Sequence, residues 1–70
     1  MEIDFSDHGL RQMARRGVTR EDVESVLSSF YYRYTVDGDH LYSRRLRGRH
    51  VRVVVVPGTN PPTVKTVFIG

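Results

Sequence analysis

Apolar residues recur at helical spacing through roughly the first thirty positions of the chain and alternate with polar ones thereafter. Leu10, Met13 and Ala14 mark a narrow stripe on a first helix. Ser6 is placed as its N-cap, Asp7 faces the positive end of the helix dipole, and Arg15 and Arg16 sit in the last turn before Gly17 stops the helix. Phe5 and Leu10 are spaced as a hydrophobic staple. The second helix repeats this grammar. Thr19 caps it, Asp22 stands where a capping box takes an acid, Val18 staples to Val23, and Val23, Val26, Leu27 and Phe30 define one face.

Beyond Phe30 the period falls to two and β-formers dominate, which predicts strands over Tyr31–Val36, His40–Arg45, Arg49–Val56 and Thr63–Ile69. Asp37-Gly38 is a hairpin signal, and the proline-rich run 57–62 must be a loop. The expected fold is α+β: one domain over residues 1–70, with two N-terminal helices packed on a four-stranded antiparallel sheet.

Register decides which side chains share a face. A two-residue turn at Asp37-Gly38 pairs Thr35 with His40, Tyr34 with Leu41 and Tyr32 with Ser43. A three-residue loop, Leu46-Arg47-Gly48, would pair Arg45 with Arg49, Arg44 with His50 and Tyr42 with Arg52. Under that reading Tyr32, Tyr34, Leu41, Val51, Val53 and Val55 lie beneath the helices. Tyr31, Arg33, His40, Tyr42, Arg44, His50 and Arg52 then form an open, basic and aromatic face. A two-residue turn at Arg47-Gly48 would instead exchange the parity of His50 and Arg52.

Composition narrows the function. A chain of 70 residues without cysteine has no disulfide framework and no thiolate metal site, which fits a reducing cytoplasm. Its longest valine run, Val53–Val56, is far too short to cross a bilayer, and the acidic start Met1-Glu2-Ile3-Asp4 lacks a signal-peptide pattern. The charge is unevenly distributed: residues 1–39 carry five arginines and eight acids, residues 40–70 five arginines, one lysine and no acid. That asymmetry points to an anionic partner for the second part, nucleic acid first. Ten of the eleven basic residues are arginine, the side chain that grips phosphate with a planar fork, although a GC-rich codon bias gives the same excess.

The run His8, Met13, Arg16-Gly17-Val18-Thr19, followed by a short helix, a basic β meander and Val64-Lys65-Thr66-Val67-Phe68, resembles a family of short bacterial domains of unknown function. That family carries a His-x-x-x-Arg-Met-x-x-Arg-Gly-Ile/Val-Ser/Thr motif and is related to BrnT-type toxins and, more distantly, to the RelE/ParE superfamily. The resemblance extends from about Asp4 to Ile69, with Gln12 standing where the motif has arginine. It implies a RelE/BrnT-like two-layer sandwich and a toxin-type endoribonuclease neutralised by a partner protein; the basic second part would attract an acidic antitoxin segment.

Metal-independent RNA cleavage needs a base for the ribose 2′-hydroxyl, an acid for the leaving 5′-oxygen and cations for the phosphorane. No cofactor or metal is expected, since the basic part holds no carboxylate and no metal-spaced cluster occurs. His8 lies in the first turn of a helix, where the dipole favours neutral imidazole, and it matches the motif; it could equally cap or pack at the helix end. Arg52 interrupts a valine strand, as a phosphate clamp or as a gatekeeper against aggregation. His8, His50 and Arg52 are thus the catalytic candidates, His40 being the less favoured imidazole. Arg16, Arg33, Tyr42, Arg44, Arg47 and Arg49 are the candidates for binding RNA, ribosome-bound mRNA included. The rival readings are a non-catalytic nucleic-acid module and a domain that binds an acidic partner.

Overall fold

Both helices start and stop where their end residues direct. The structure, a computed structural model, describes residues 1–70. Helix α1 spans Asp7–Arg16, with the Ser6 hydroxyl accepting from the Gly9 N–H and Gly17 closing it in the left-handed region at φ 65°. Helix α2 spans Arg20–Ser28 and opens with a complete capping box: the Thr19 hydroxyl accepts from the Asp22 N–H, and the Asp22 carboxylate accepts from the Thr19 N–H. Helix α2 ends before Phe30, which lies outside it and sets its ring edge-on to Tyr42 with centroids 5.0 Å apart. Leu10 is exposed, so the apolar seal of α1 rests on Met13 and on the close approach of Gly9.

The sheet has five strands: β1 (Asp4–Phe5), β2 (Tyr32–Val36), β3 (Asp39–Leu46), β4 (Arg49–Val56) and β5 (Thr63–Ile69), in the order β1-β5-β4-β3-β2. The expected four antiparallel strands are therefore corrected to a mixed sheet, because β1 pairs in parallel with β5. A two-residue strand carries no periodicity to read. Its place shows only in three dimensions, where the Asp4 N–H donates to Pro62 O and the Ser6 N–H to Val64 O. Both helices cover one face. Met13, Val23 and Val26 bury against Val51, Val53, Val55, Val64 and Val67, with Ile3 and Val18 completing the core.

The second correction concerns register. The β2–β3 pairing is as expected: Thr35 opposite His40, Tyr34 opposite Leu41 and Tyr32 opposite Ser43. The β3–β4 connection, however, is a two-residue turn, with Arg47 at φ 50° and Gly48 at φ 79°. Two consecutive left-handed residues form the turn whose twist matches a hairpin. Leu46 then pairs with Arg49, Arg45 with His50, Arg44 with Val51, Ser43 with Arg52 and Tyr42 with Val53. A one-residue change of register turns over the whole β2–β3 hairpin relative to β4. Arg33, His40, Tyr42 and Arg44 therefore lie on the helix side, and Tyr32, Tyr34 and Leu41 lie on the open side. His50 and Arg52 stay on the open side, opposite in parity to the buried valines of β4.

The α1–β5 contact yields a test with an unusual sign. Alanine normally stabilises a helix interior relative to glycine by about 0.5–1 kcal/mol. A Cβ on Gly9, however, would sit 2.9 Å from Val64 O and 3.2 Å from the Ser6 hydroxyl. Gly9→Ala should lower stability by about 1–3 kcal/mol, the usual cost of overpacking, read as a reduced urea midpoint at constant m.

Candidate nucleic-acid interface

The arginines on the sheet and its turns divide by what already holds them. Arg47 reaches from the turn to Asp22, its Nη2 donating to Oδ1 at 2.6 Å. Arg49 donates to Arg16 O at 2.9 Å and Gly17 O at 3.0 Å, satisfying carbonyls that the end of α1 leaves free, and lies 3.7 Å from the second oxygen of Asp22. Arg44 donates to Ser29 O at 2.6 Å and stacks over Tyr31 at 5.1 Å. Arg33 lies beside His40 and over the Tyr42 ring at 5.8 Å, on the helix side of the sheet. Arg45 donates to Gly48 O. Among the five arginines on the strands, the side chain of Arg52 alone makes no hydrogen bond or ion pair; its Nε, like that of Arg44, is buried without a partner.

Arg52 stands near the middle of the open face, in a row that crosses four strands: Tyr32, Ser43, Arg52 and Phe68. Ser43, between the Tyr32 ring and the guanidinium, is small and buried. The row continues to Arg16, whose guanidinium carbon lies 5.8 Å from the Phe68 ring centroid and whose Nη1 donates to Gln12 Oε1 at 2.7 Å. The neighbouring row is Arg45 and His50. A cavity of about 260 Å³ opens at that corner, lined by Tyr31, Tyr32, Arg44, Arg45 and His50. On the other side of the Arg52 row the face turns apolar, with Tyr34, Leu41, Val54 and Thr66 aligned and the Lys65–Asp39 ion pair at 2.8 Å closing the end.

The structure thus brings His50 and Arg52 together on one surface, with Arg16 at its rim and Arg44 at its corner. It does not bring His8 there. His8 is exposed in the first turn of α1, about 12 Å along the helix axis from Arg16. Tyr42 and Arg33 face the helices, while Arg47 and Arg49 hold the turn and the end of α1. Sequence reasoning missed Tyr32, Phe68 and Arg45. The dipeptide Arg47-Gly48 read as a two-residue turn would have found Tyr32 and Arg45, since it places both with His50 and Arg52.

Residues 5–69 match the family model described as Domain of unknown function (DUF4258). The chain belongs to this family. No curated protein and no solved structure matches it. No helix of this DUF4258 chain is long and apolar enough to cross a membrane.

Beneath the interface, the surroundings of Asp22 shift its carboxyl in two opposing directions. Burial pushes its carboxyl up. The Thr19 backbone N–H, the hydrogen bond and charge of Arg47 and the Thr19 hydroxyl together outweigh that and hold it below its ordinary value. A depressed folded-state pKa contributes stability that is present above the unfolded value, about 3.9, and is lost as pH falls through the folded value. Arg47 is 67% exposed, so the ion pair itself is heavily screened, and the cap carries most of the effect. Asp22→Asn should cost about 1–2 kcal/mol at pH 7. Urea midpoints followed from pH 7 to pH 2 should show wild type and variant converging below about pH 4.

Proposed function

We propose that the open face of the sheet binds single-stranded RNA and that the domain is a RelE/BrnT-like, toxin-type endoribonuclease working without a metal. The observation that carries this reading is Arg52: a guanidinium without a partner, set between Tyr32 and Phe68, with Arg45 and His50 in the next row. A guanidinium that no group of its own chain engages is free to take a phosphate oxygen in a charge-assisted hydrogen bond.

Tyr32 and Phe68 offer ring faces on which bases stack, worth about 1–3 kcal/mol each in single-stranded complexes. Arg45 and Arg16 flank them as backbone contacts. In the chemical step the ribose 2′-oxygen attacks the adjacent phosphorus while its proton passes to the His50 imidazole. Arg52 neutralises the non-bridging oxygens of the phosphorane, which gain charge as it forms. The P–O5′ bond then breaks, and the imidazolium returns the proton to the leaving 5′-oxygen. The products are a 2′,3′-cyclic phosphate and a 5′-hydroxyl, so atoms and protons balance with one imidazole acting twice. The same basic rim would attract an acidic antitoxin segment. Gln12, which replaces the motif arginine, supports Arg16 through its hydrogen bond, whereas an arginine in its place would repel the Arg16 guanidinium.

A second reading keeps the RNA and drops the chemistry. It is favoured by the separation of the two candidate imidazoles, which leaves His50 alone on the face.

Labelled RNA incubated with the protein, with and without ribosomes, separates the two. Cleavage should leave 2′,3′-cyclic ends and fall at least about 100-fold in Arg52→Ala and in His50→Ala, with both variants folded. Binding without product ends in every arm sinks the enzyme reading and leaves the binding module. In that case Arg52→Ala should lower the slope of log affinity against log salt by about 0.7.

A further inference from the structure

The two edges of the sheet are treated differently. On the β5 side, β1 pairs with the first residues of β5, and α1 packs beside the rest. On the other side β2 ends the sheet: all five residues, Tyr-Arg-Tyr-Thr-Val, are exposed, and β3 is its only pairing neighbour. Proteins blunt free edges with proline, bulges, inward-pointing charges or shortness. Strand β2 has no proline, its ladder with β3 runs without a register shift from Tyr32 to Val36, and its one charge, Arg33, folds over the Tyr42 ring of its own chain.

We propose that β2 pairs antiparallel with β2 of a second copy of this chain, about a two-fold axis through Tyr34, joining the two sheets into one of ten strands. The two-residue turn at Asp37-Gly38 makes Val36–Asp39 a hydrogen-bonded pair. Alternation then turns the N–H and C=O groups of Tyr34 and Tyr32 toward β3, and those of Arg33 and Thr35 outward. An axis through Tyr34 sets Arg33 opposite Thr35 of the other copy, so the outward groups exchange four hydrogen bonds. An axis through Arg33 would instead set two guanidinium groups face to face.

The side chains agree with this register. Tyr32, Tyr34 and Val36 all point to the open face and are 66%, 47% and 41% exposed. Pairing places Tyr34 on Tyr34 and each Tyr32 on the other copy's Val36, so the apolar groups of each edge cover those of the other. The same register sets Asp37, which takes part in no ion pair of its own chain, opposite Tyr31, where Arg44 stacks. The contact recurs twice by symmetry. Both open faces then lie on the same side of the joined sheet.

The native chain has no cysteine, so single thiols report the register directly. Directly opposed residues in a non-hydrogen-bonded pair have Cα atoms about 4.5 Å apart, within disulfide range. Under mild oxidation Tyr34→Cys should form a covalent dimer by itself. Tyr32→Cys and Val36→Cys should each fail alone and cross-link when mixed. Sedimentation of the wild-type chain should show a concentration-dependent dimer, with dissociation at least about tenfold weaker self-association in Tyr34→Lys, which places two ammonium groups on the axis. A wild-type chain that stays monomeric up to about 1 mM, or cross-linking of Tyr32→Cys alone as fast as Tyr34→Cys, overturns the proposal. Neither readout involves RNA, so the outcome is independent of the ribonuclease reading.

Discussion

Asp22 is the point at which the three parts of the molecule meet. Its carboxylate closes the capping box of α2, receives Arg47 from the β3–β4 turn and lies near Arg49, which in turn satisfies the last carbonyls of α1. A buried carboxylate is tolerable only when its lone pairs are filled, and here the donors come from a helix start and a sheet turn together. The connection bears on the turn itself. Arg47 occupies a left-handed conformation that costs a side-chain-bearing residue about 1–2 kcal/mol, and its charge-assisted bond to Asp22 offsets part of that strain.

From that turn follows the division of the two faces. With two residues in the loop, the valines of β4 that bury under the helices share a face with Tyr42 and Leu46, which pack against the same core. The other parity collects Tyr32, Tyr34, Ser43, Arg45, His50, Arg52 and Phe68 on a surface no other element covers. A chain this short buries only about 60% of what its unfolded form exposes, and a single layer of helix can cover only one side of the sheet. What remains open is ordered by row, with cations toward one end and apolar groups toward the other.

The sheet's boundaries show the same economy of parts. One edge is covered by the first residues of the chain and by α1, which approaches so closely that Gly9 has no room for a Cβ. The opposite edge, β2, carries tyrosines and a valine on the open face and leaves the backbone groups of Arg33 and Thr35 pointing outward. The open face and the β2 edge share Tyr32.

The caps Ser6, Gly17, Thr19 and Asp22, the helical stripes around Met13, Val23 and Val26, and the Asp37-Gly38 turn with its register were all legible in the sequence, because each is decided by neighbours a few residues away. His50 and Arg52 were legible too, since they alternate with buried valines of the same strand. The faces of β2 and β3 were not. They hang on whether Arg47-Gly48 closes a loop of two residues or three. That choice is made by Asp22, twenty-five positions away, and by the packing of Tyr42 and Leu46 against a core assembled from every element. The parallel strand at Asp4–Phe5 was hidden for the same reason: two residues hold no pattern, and only the finished edge of β5 supplies their partners. Local chemistry therefore set the elements and the cation-bearing strand, while the tertiary contacts of Asp22 and the valine core decided which side chains share the open face.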